Sequence, residues 1–341
     1  MTVTEIAKQA GVSIGTVDRV LHNRGRVSSA TKEKIQELID QFGYQPNPIA
    51  RHLKKSTPYR IGVLLPELGT GYGYWEQLYD GIISAAREDF SAFSFSIEPF
   101  FFKRPLTYSL TSRFNSMVAA DCDAYIIAPV MRKETQRLLD GVLVAKPYCF
   151  VDSPLPNTEP VFTIAQDPYK AGFIAGRLTE LTAGKKTGTY AVLQVFDESF
   201  NQDERARGFG DWFYNNALGS KVIHVLAKDA SPAAISQTVQ LLLEAHADLV
   251  GVCTVSVEVQ FVADTLMQAG RKDDIAVVGF DLVARNRAAL ENGSIDCLIS
   301  QQPKEQGRIA VRQLFRSLVY EETLDSSIEI PVEIFFKENL I

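Results

Sequence analysis

Gly69-Thr70-Gly71-Tyr72-Gly73 follows an apolar run and starts like the glycine frame that cradles a dinucleotide pyrophosphate. That frame needs another glycine at position 74, where this chain has Tyr74, so the pattern breaks. Gly184-Lys185-Lys186-Thr187 has the ending of a phosphate-binding loop, but its opening glycine would fall on Thr179. The histidines His22, His52, His224 and His246 lack metal-ligand spacing, and no G-x-S-x-G nucleophile elbow occurs. Cys122, Cys149, Cys253 and Cys297 are far apart, and three of them sit in or beside apolar runs. Such cysteines predict buried, reduced thiols rather than a disulfide framework or a redox pair. No enzyme, no cofactor and no metal site is expected from these residues.

Charge is more informative. The 341 residues carry a net charge of −6, which suggests no polyanionic partner. The split is uneven, however. Residues 1–55 hold nine basic and five acidic side chains, a surplus of +4, against −10 for the remainder. A basic head on an acidic body fits a chain that meets phosphates at one end only. The length predicts two or three domains, and 46% hydrophobic with 22% charged residues is ordinary for a soluble chain. No apolar run is long enough to span a membrane, and Met1-Thr2-Val3-Thr4-Glu5 does not begin like a signal peptide. A cytoplasmic location and no membrane partner are expected.

Three helices account for the head. Thr4 is expected to cap one over Glu5–Ala10, and Gly11 to end it. Ser13 caps a second from Ile14 to about His22, with Val17, Val20 and Leu21 inward. A third starts at Ser28 or Ser29 and ends at Phe42 before Gly43. Helix, glycine-centred turn and capped helix in about twenty residues form a helix-turn-helix pattern.

The residues add to the pattern. Val3–Ser13, Thr16–Leu21, Arg26-Val27-Ser28, Thr31–Ile35 and Gly43–Arg51 closely resemble the head of LacI-type transcriptional regulators. The resemblance implies that Ile14 and Gly15 occupy the pair of positions that sets operator sequence. It implies DNA contacts by Ser13, Thr16, Arg19, Arg26, Ser28, Asn47 and Ala50. Arg19 has the shape to grip guanine O6 and N7, and Ile14 can offer only apolar contact. Asp18 and His22 depart from the usual Ser and Asn, and Asp18 is read as a surface ion-pair partner. Asn47-Pro48-Ile49-Ala50-Arg51-His52-Leu53 matches the hinge helix, with Leu53 in the position that wedges into a minor-groove step.

From Arg60 onward, apolar runs alternate with helical patterns about twice over. Strands are expected at 60–65, 94–102, 124–128, 148–151, 189–196, 221–226, 249–253, 276–280, 297–300 and 330–335. Helices are expected between most of them, at 75–90, 169–181, 203–217, 232–245, 259–268 and 304–320. Alternating βα units imply parallel sheets covered on both faces. The fold class is therefore an all-α helix-turn-helix head plus an α/β body. The body resembles the two-lobed periplasmic-binding-protein fold with parallel, doubly wound sheets. The expected boundaries are 1–46 for the head, 47–59 for the hinge and 60–341 for the body. Lobe 1 takes about 60–163 and 302–322, and lobe 2 about 164–301 and 323–341.

Ligands of open parallel sheets bind beyond the strands' C-terminal ends. There the resemblance places Tyr74 and Trp75 as an aromatic pair that stacks on a sugar face. Arg205, in Arg205-Ala206-Arg207-Gly208-Phe209, becomes a clamp for hydroxyls or a carboxylate. Asp281 ends Val277–Phe280 and can accept two hydroxyls in charge-assisted bonds, and Gln301 is a hinge residue that reaches the ligand. Gln166-Asp167 matches a lobe crossover, with Asp167 structural. Two anchors are lost, because Pro129-Val130-Met131 stands where relatives often have an acid and Ser256 where Asn or Asp is usual. Asp152 can compensate. A phosphorylated or acidic sugar, a cyclitol and a disaccharide all stay open as effectors. The resemblance implies a homodimer on a pseudo-palindromic double-stranded DNA operator, with no heptad tail for a tetramer. An enzyme and a transporter's free solute-binding protein are the other function classes. Broken motifs oppose the first, and the basic head with no signal peptide opposes the second.

Overall fold

A computed structural model describes residues 2–21, 25–43, 58–69, 73–88, 95–141, 146–195, 199–216 and 219–340. The chain forms two compact units, Met1–Thr57 with Leu318–Glu321, and the rest.

The head contains α1 (Val3–Ala10), α2 (Ile14–Leu21) and α3 (Ser29–Gln41). Ile6, Ala7, Ala10, Val17, Val20 and Ile35 form its core. The first helix starts earlier than expected. Thr2 Oγ1 accepts the Glu5 N–H at 3.3 Å, and Glu5 Oε2 accepts the Thr2 N–H at 2.7 Å. This reciprocal capping box satisfies two orphan donors at once, so Thr2 is the cap and Thr4 lies inside the helix. Gly11 closes α1 at φ 72°, in the left-handed region that favours glycine. Ser13 accepts the Thr16 N–H at 3.2 Å, and Ser28 the Thr31 N–H at 3.3 Å, as their cap positions demand.

In the body, β1 (Tyr59–Pro66), α4 (Tyr74–Glu88), β2 (Phe95–Phe102), α5 (Thr107–Ala119), β3 (Ala124–Ile127), α6 (Arg132–Gly141), β4 (Tyr148–Val151) and β5 (Phe162–Ala165) build lobe 1. Lobe 2 follows with α7 (Pro168–Thr182), β6 (Thr189–Gln194), α8 (Phe200–Asn216), β7 (Lys221–Leu226), α9 (Pro232–Ala245), β8 (Leu249–Thr254), α10 (Val259–Gln268), β9 (Ala276–Phe280), α11 (Ala284–Glu291) and β10 (Cys297–Ser300). The chain then returns through α12 (Pro303–Val319), β11 (Ser327–Glu329) and β12 (Glu333–Phe335).

The sheet orders are β11-β5-β4-β3-β1-β2 and β12-β10-β9-β8-β6-β7. Every pairing is parallel except β10 with β12. The inner strands read as unbroken apolar runs, such as Val63-Leu64-Leu65, because helices cover both faces. Two boundaries differ from expectation. Ile164 and the stretch 327–329 belong to the first sheet, since β5 and β11 pair there. The crossings therefore follow Ala165, Ser300 and Glu329. Of the single strand expected at 330–335, only Glu333–Phe335 forms one, and 330–332, with Pro331, connects it to β11 of the other sheet.

The crossings are tied together. Gln166 donates to the carbonyls of Ser300 at 3.0 Å and Pro331 at 3.3 Å, and Gln302 donates to Pro331 at 3.3 Å. Asp167 caps α7 by accepting the Lys170 N–H at 3.0 Å, which is the structural role expected of it. Close backbone contact sets the α7–α8 crossing. A Cβ at Gly172 would overlap the Arg205 carbonyl, and one at Gly208 the Tyr169 carbonyl. All four cysteines are buried and free. Among the described residues, no helix is long and apolar enough to cross a membrane.

Candidate functional site

Parallel strands direct their C-terminal ends, and the N-termini of the following helices, toward one side of each sheet. In this body the two lobes turn those sides toward a shared cavity of about 460 Å³, within the roughly 300–1,000 Å³ of small-molecule sites. Tyr74, Trp75, Asp152, Arg205, Ser256, Asp281 and Gln301 all line it. Seven residues spread over more than two hundred positions thus meet at one place.

Asp152 follows β4 and Asp281 follows β9, the same position in two sheets of matching strand order. Both take left-handed backbone, at φ 73° and 71°. Aspartate tolerates that region better than most residues, and such strain concentrates at binding sites. Tyr74 donates its hydroxyl to Asp152 Oδ1 at 2.8 Å. Asn201, at the start of α8, donates to Asp152 Oδ2 at 3.1 Å from across the cleft. The Asp152 N–H is accepted by Gln306 Oε1 at 2.9 Å, and Gln306 also donates to the Gln301 carbonyl at 2.9 Å. Gln301 in turn donates to Asp281 Oδ1 at 2.7 Å. Asn286 fixes the Asp281 turn by donating to the carbonyls of Val257, Phe280 and Asp281.

Arg205 is only 4% exposed. Its Nη1 donates to the Val255 carbonyl at 3.0 Å, and its guanidinium lies 4.2 Å from the centre of the Phe280 ring. It therefore lies against the ends of β8 and β9, close to Asp281. Trp75 packs edge-on to Tyr74 at 4.8 Å, with 7% of its surface exposed.

Burial dominates the electrostatics. It raises the Asp281 carboxyl to about 6, opposed by Arg205 and by the hydrogen bond from Gln301. It raises Glu258 to about 7, opposed by Ser256. Asp152 is raised for the same reason, and Tyr74, Asn201, Arg205 and Arg104 hold it down. Tyr74 is raised far above its usual range by burial and the neighbouring carboxylates, so it stays a donor. Carboxylates backed by amide and phenol donors, beside a guanidinium and an indole, can bind a polyhydroxylated ring from both faces. Nothing in the set positions a nucleophile against a base.

Sequence reasoning did not find Arg104, Arg132, Asn201, Gln306 or Glu258. Four line the cavity, and Gln306 supports it from α12. Position after a strand could have flagged Arg104, Arg132 and Glu258, which follow β2, β3 and β8.

In the head, Ser13, Ile14, Gly15 and Arg19 are exposed on α2 and the turn before it, opposite buried Val17 and Val20. Thr16 is half-buried, with its hydroxyl 2.9 Å from that of Ser13. Arg26 and the cap residue Ser28 are exposed too. Asn47, Ala50, Leu53 and the rest of the expected hinge helix, with His22, lie outside the described residues.

Fold and site define a two-lobed small-molecule binder that carries a helix-turn-helix head. The model of the periplasmic binding protein domain matches residues 61–322, and that of the bacterial regulatory proteins, lacI family, matches residues 2–47. The body belongs to the periplasmic binding protein domain family, and residues 2–47 form a lacI-family helix-turn-helix head. The HTH-type transcriptional regulator RegA of Clostridium saccharobutylicum is 35% identical over 96 residues, 28% of this chain and 27% of that protein. The match thus spans only about a quarter of that relative. Catabolite control protein A of Priestia megaterium is 22% identical over 354 residues, covering 99% of both. The crystal structure of a putative LacI transcriptional regulator from Bacteroides fragilis has a TM-score of 0.77 at 22% identity, over 83% of this chain and 98% of that one.

Proposed function

We propose that this chain is a cytoplasmic, homodimeric repressor whose operator affinity is set by a sugar or sugar derivative held between the lobes of its body. The carrying observation is the pair Asp152 and Asp281, buried at equivalent strand ends and directed by donors from three elements into one cavity. Two hydroxyl-accepting groups from opposite lobes suit a ring with hydroxyls on several carbons. The site acts by binding and has no catalytic role.

In the head, Arg19 reads base edges, and Ser13, Ile14, Thr16, Arg26 and Ser28 place α2 in the major groove. Asn47, Ala50 and Leu53 act as a minor-groove hinge. Effector binding favours one relation of the lobes, which biases the hinge helices of the dimer between folded and melted. Such coupling is reciprocal, so operator DNA changes effector affinity by the factor that effector changes DNA affinity.

A thermal-melt screen of the full chain against neutral, acidic and phosphorylated sugars and cyclitols tests the reading, with Asp281→Ala as control. A ligand at about a hundred times its dissociation constant adds roughly 2.7 kcal/mol to the folded state. A stabilising sugar whose effect disappears in the variant supports the assignment. A panel with no stabilising member contradicts it.

A further inference from the structure

Three guanidinium groups, from Arg104, Arg132 and Arg205, reach the cavity. Beside Arg205, lobe 1 contributes Arg104 after β2 and Arg132 at the start of α6, from the loops on either side of the β1 loop. Arg104 is half-buried, and burial pulls its guanidinium down while Asp152 and Glu258 raise it. Arg132 lies 4.1 Å from the centre of the Phe200 ring, across the cleft. Its buried Nη1 has no hydrogen-bond partner among the described residues, and the same holds for Nε of Arg205, whose side chain is almost wholly buried.

Both cavity aspartates are held by donors and keep further lone pairs for hydroxyls. Asp152 accepts from Tyr74 and Asn201, and Asp281 accepts from Gln301. Glu258, raised to about 7 by burial, is near half-protonated at neutral pH and so balances only part of a cation. The N-termini of α4, α6, α8 and α10 border the cavity, and each adds roughly half a positive charge. A neutral ring satisfies neither the open donors of Arg132 and Arg205 nor this field, whereas an oxyanion satisfies both.

We infer that the effector carries an acidic group, a carboxylate or a phosphate, which Arg104 and Arg132 receive on the lobe 1 side while Asp152 and Asp281 take its hydroxyls. The inference rests on the reading of this cavity as the effector site, and it narrows the ligand to an anionic sugar derivative.

The test is calorimetric titration of the full chain with matched probes: D-glucose, D-galactose, their uronates and their 6-phosphates. At least one acidic probe binds about ten- to a hundredfold more tightly than its neutral counterpart, the range of a charge-assisted pair. The uronate and phosphate arms identify which oxyanion it is. Arg132→Gln and Arg104→Gln lower this acid-over-neutral ratio about tenfold or more, whereas Arg132→Lys retains part of it. The ligand-free melting temperature of each variant checks folding. Neutral probes binding as well as or better than their acidic counterparts overturn the inference and leave the effector site standing. Binding by none of the probes overturns both. An acid preference that survives both glutamine variants also overturns the inference.

Discussion

The two lobes present equivalent aspartates to the same cavity and hold them differently. Asp281 is fixed within its own lobe and the hinge, by Gln301, by Asn286 on its turn, and with Arg205 seated on Phe280. Asp152 is fixed by Tyr74 from its own lobe and by Asn201 from the other. Lobe 2 therefore carries a preformed half-site that exists however the lobes stand. The half-site in lobe 1 is completed only when α8 approaches it. A ligand needing both aspartates rewards closure, and differential affinity is the only means by which a ligand shifts a conformational equilibrium.

The largest expected effect lies on the preformed side. Asp281→Ala removes a buried acceptor and leaves Gln301 and Arg205 unmatched, so effector affinity should fall a hundredfold or more, about 3 kcal/mol. Calorimetry with a ligand found by thermal melting checks this, and a loss under fivefold would break the comparison. Next comes the crossing that holds Arg205. Gly172→Val forces a side chain onto the Arg205 carbonyl, and overpacking of this kind costs about 1–3 kcal/mol. Chemical denaturation should show that loss, with effector binding weakened further.

The pH response sharpens the contrast. Because burial raises Asp281 to about 6, the folded state binds more protons than the unfolded chain between pH 4 and pH 6. Its contribution therefore lowers stability as pH rises through that window, by roughly 3 kcal/mol at most. Asp281→Asn should flatten this component, measured as the difference from the unaltered chain between pH 4.5 and 7.5. The smallest effects belong to the half-site around Asp152. Tyr74→Phe removes one hydrogen bond to Asp152, worth about 1 kcal/mol. Asn201→Ala should weaken the effector several-fold with the ligand-free melting temperature nearly unchanged, because its bond forms between lobes.

Much of this architecture was legible because parallel strands buried on both faces leave unbroken apolar runs, as at 148–151 and 276–280. β5 was missed because Thr163 interrupts its apolar run, and Thr163 and Ala165 are only half-buried. Ile330–Phe335 read as one strand because its apolar character continues across Pro331, whereas only Glu333–Phe335 pairs, in the second sheet. Thr2-Val3-Thr4-Glu5 held a capping box in plain sight, but Thr4 stood nearer the apolar periodicity. Asp281 and Arg205 could be found because each follows a strand within a recognisable run. Arg104, Arg132 and Asn201 were not found, since a lone polar side chain has no periodicity to show which way it faces. Only the closing of two distant loops over one space makes them site residues.

The most direct test of the account is a double-mutant cycle on Asp152→Asn and Asp281→Asn, read as effector affinity by calorimetry on the full chain. If one ligand bridges both lobes, each variant weakens binding, and the double variant departs from additivity by 0.5 kcal/mol or more. If either single variant leaves affinity unchanged, the ligand is held by one lobe alone, and closure around it is contradicted.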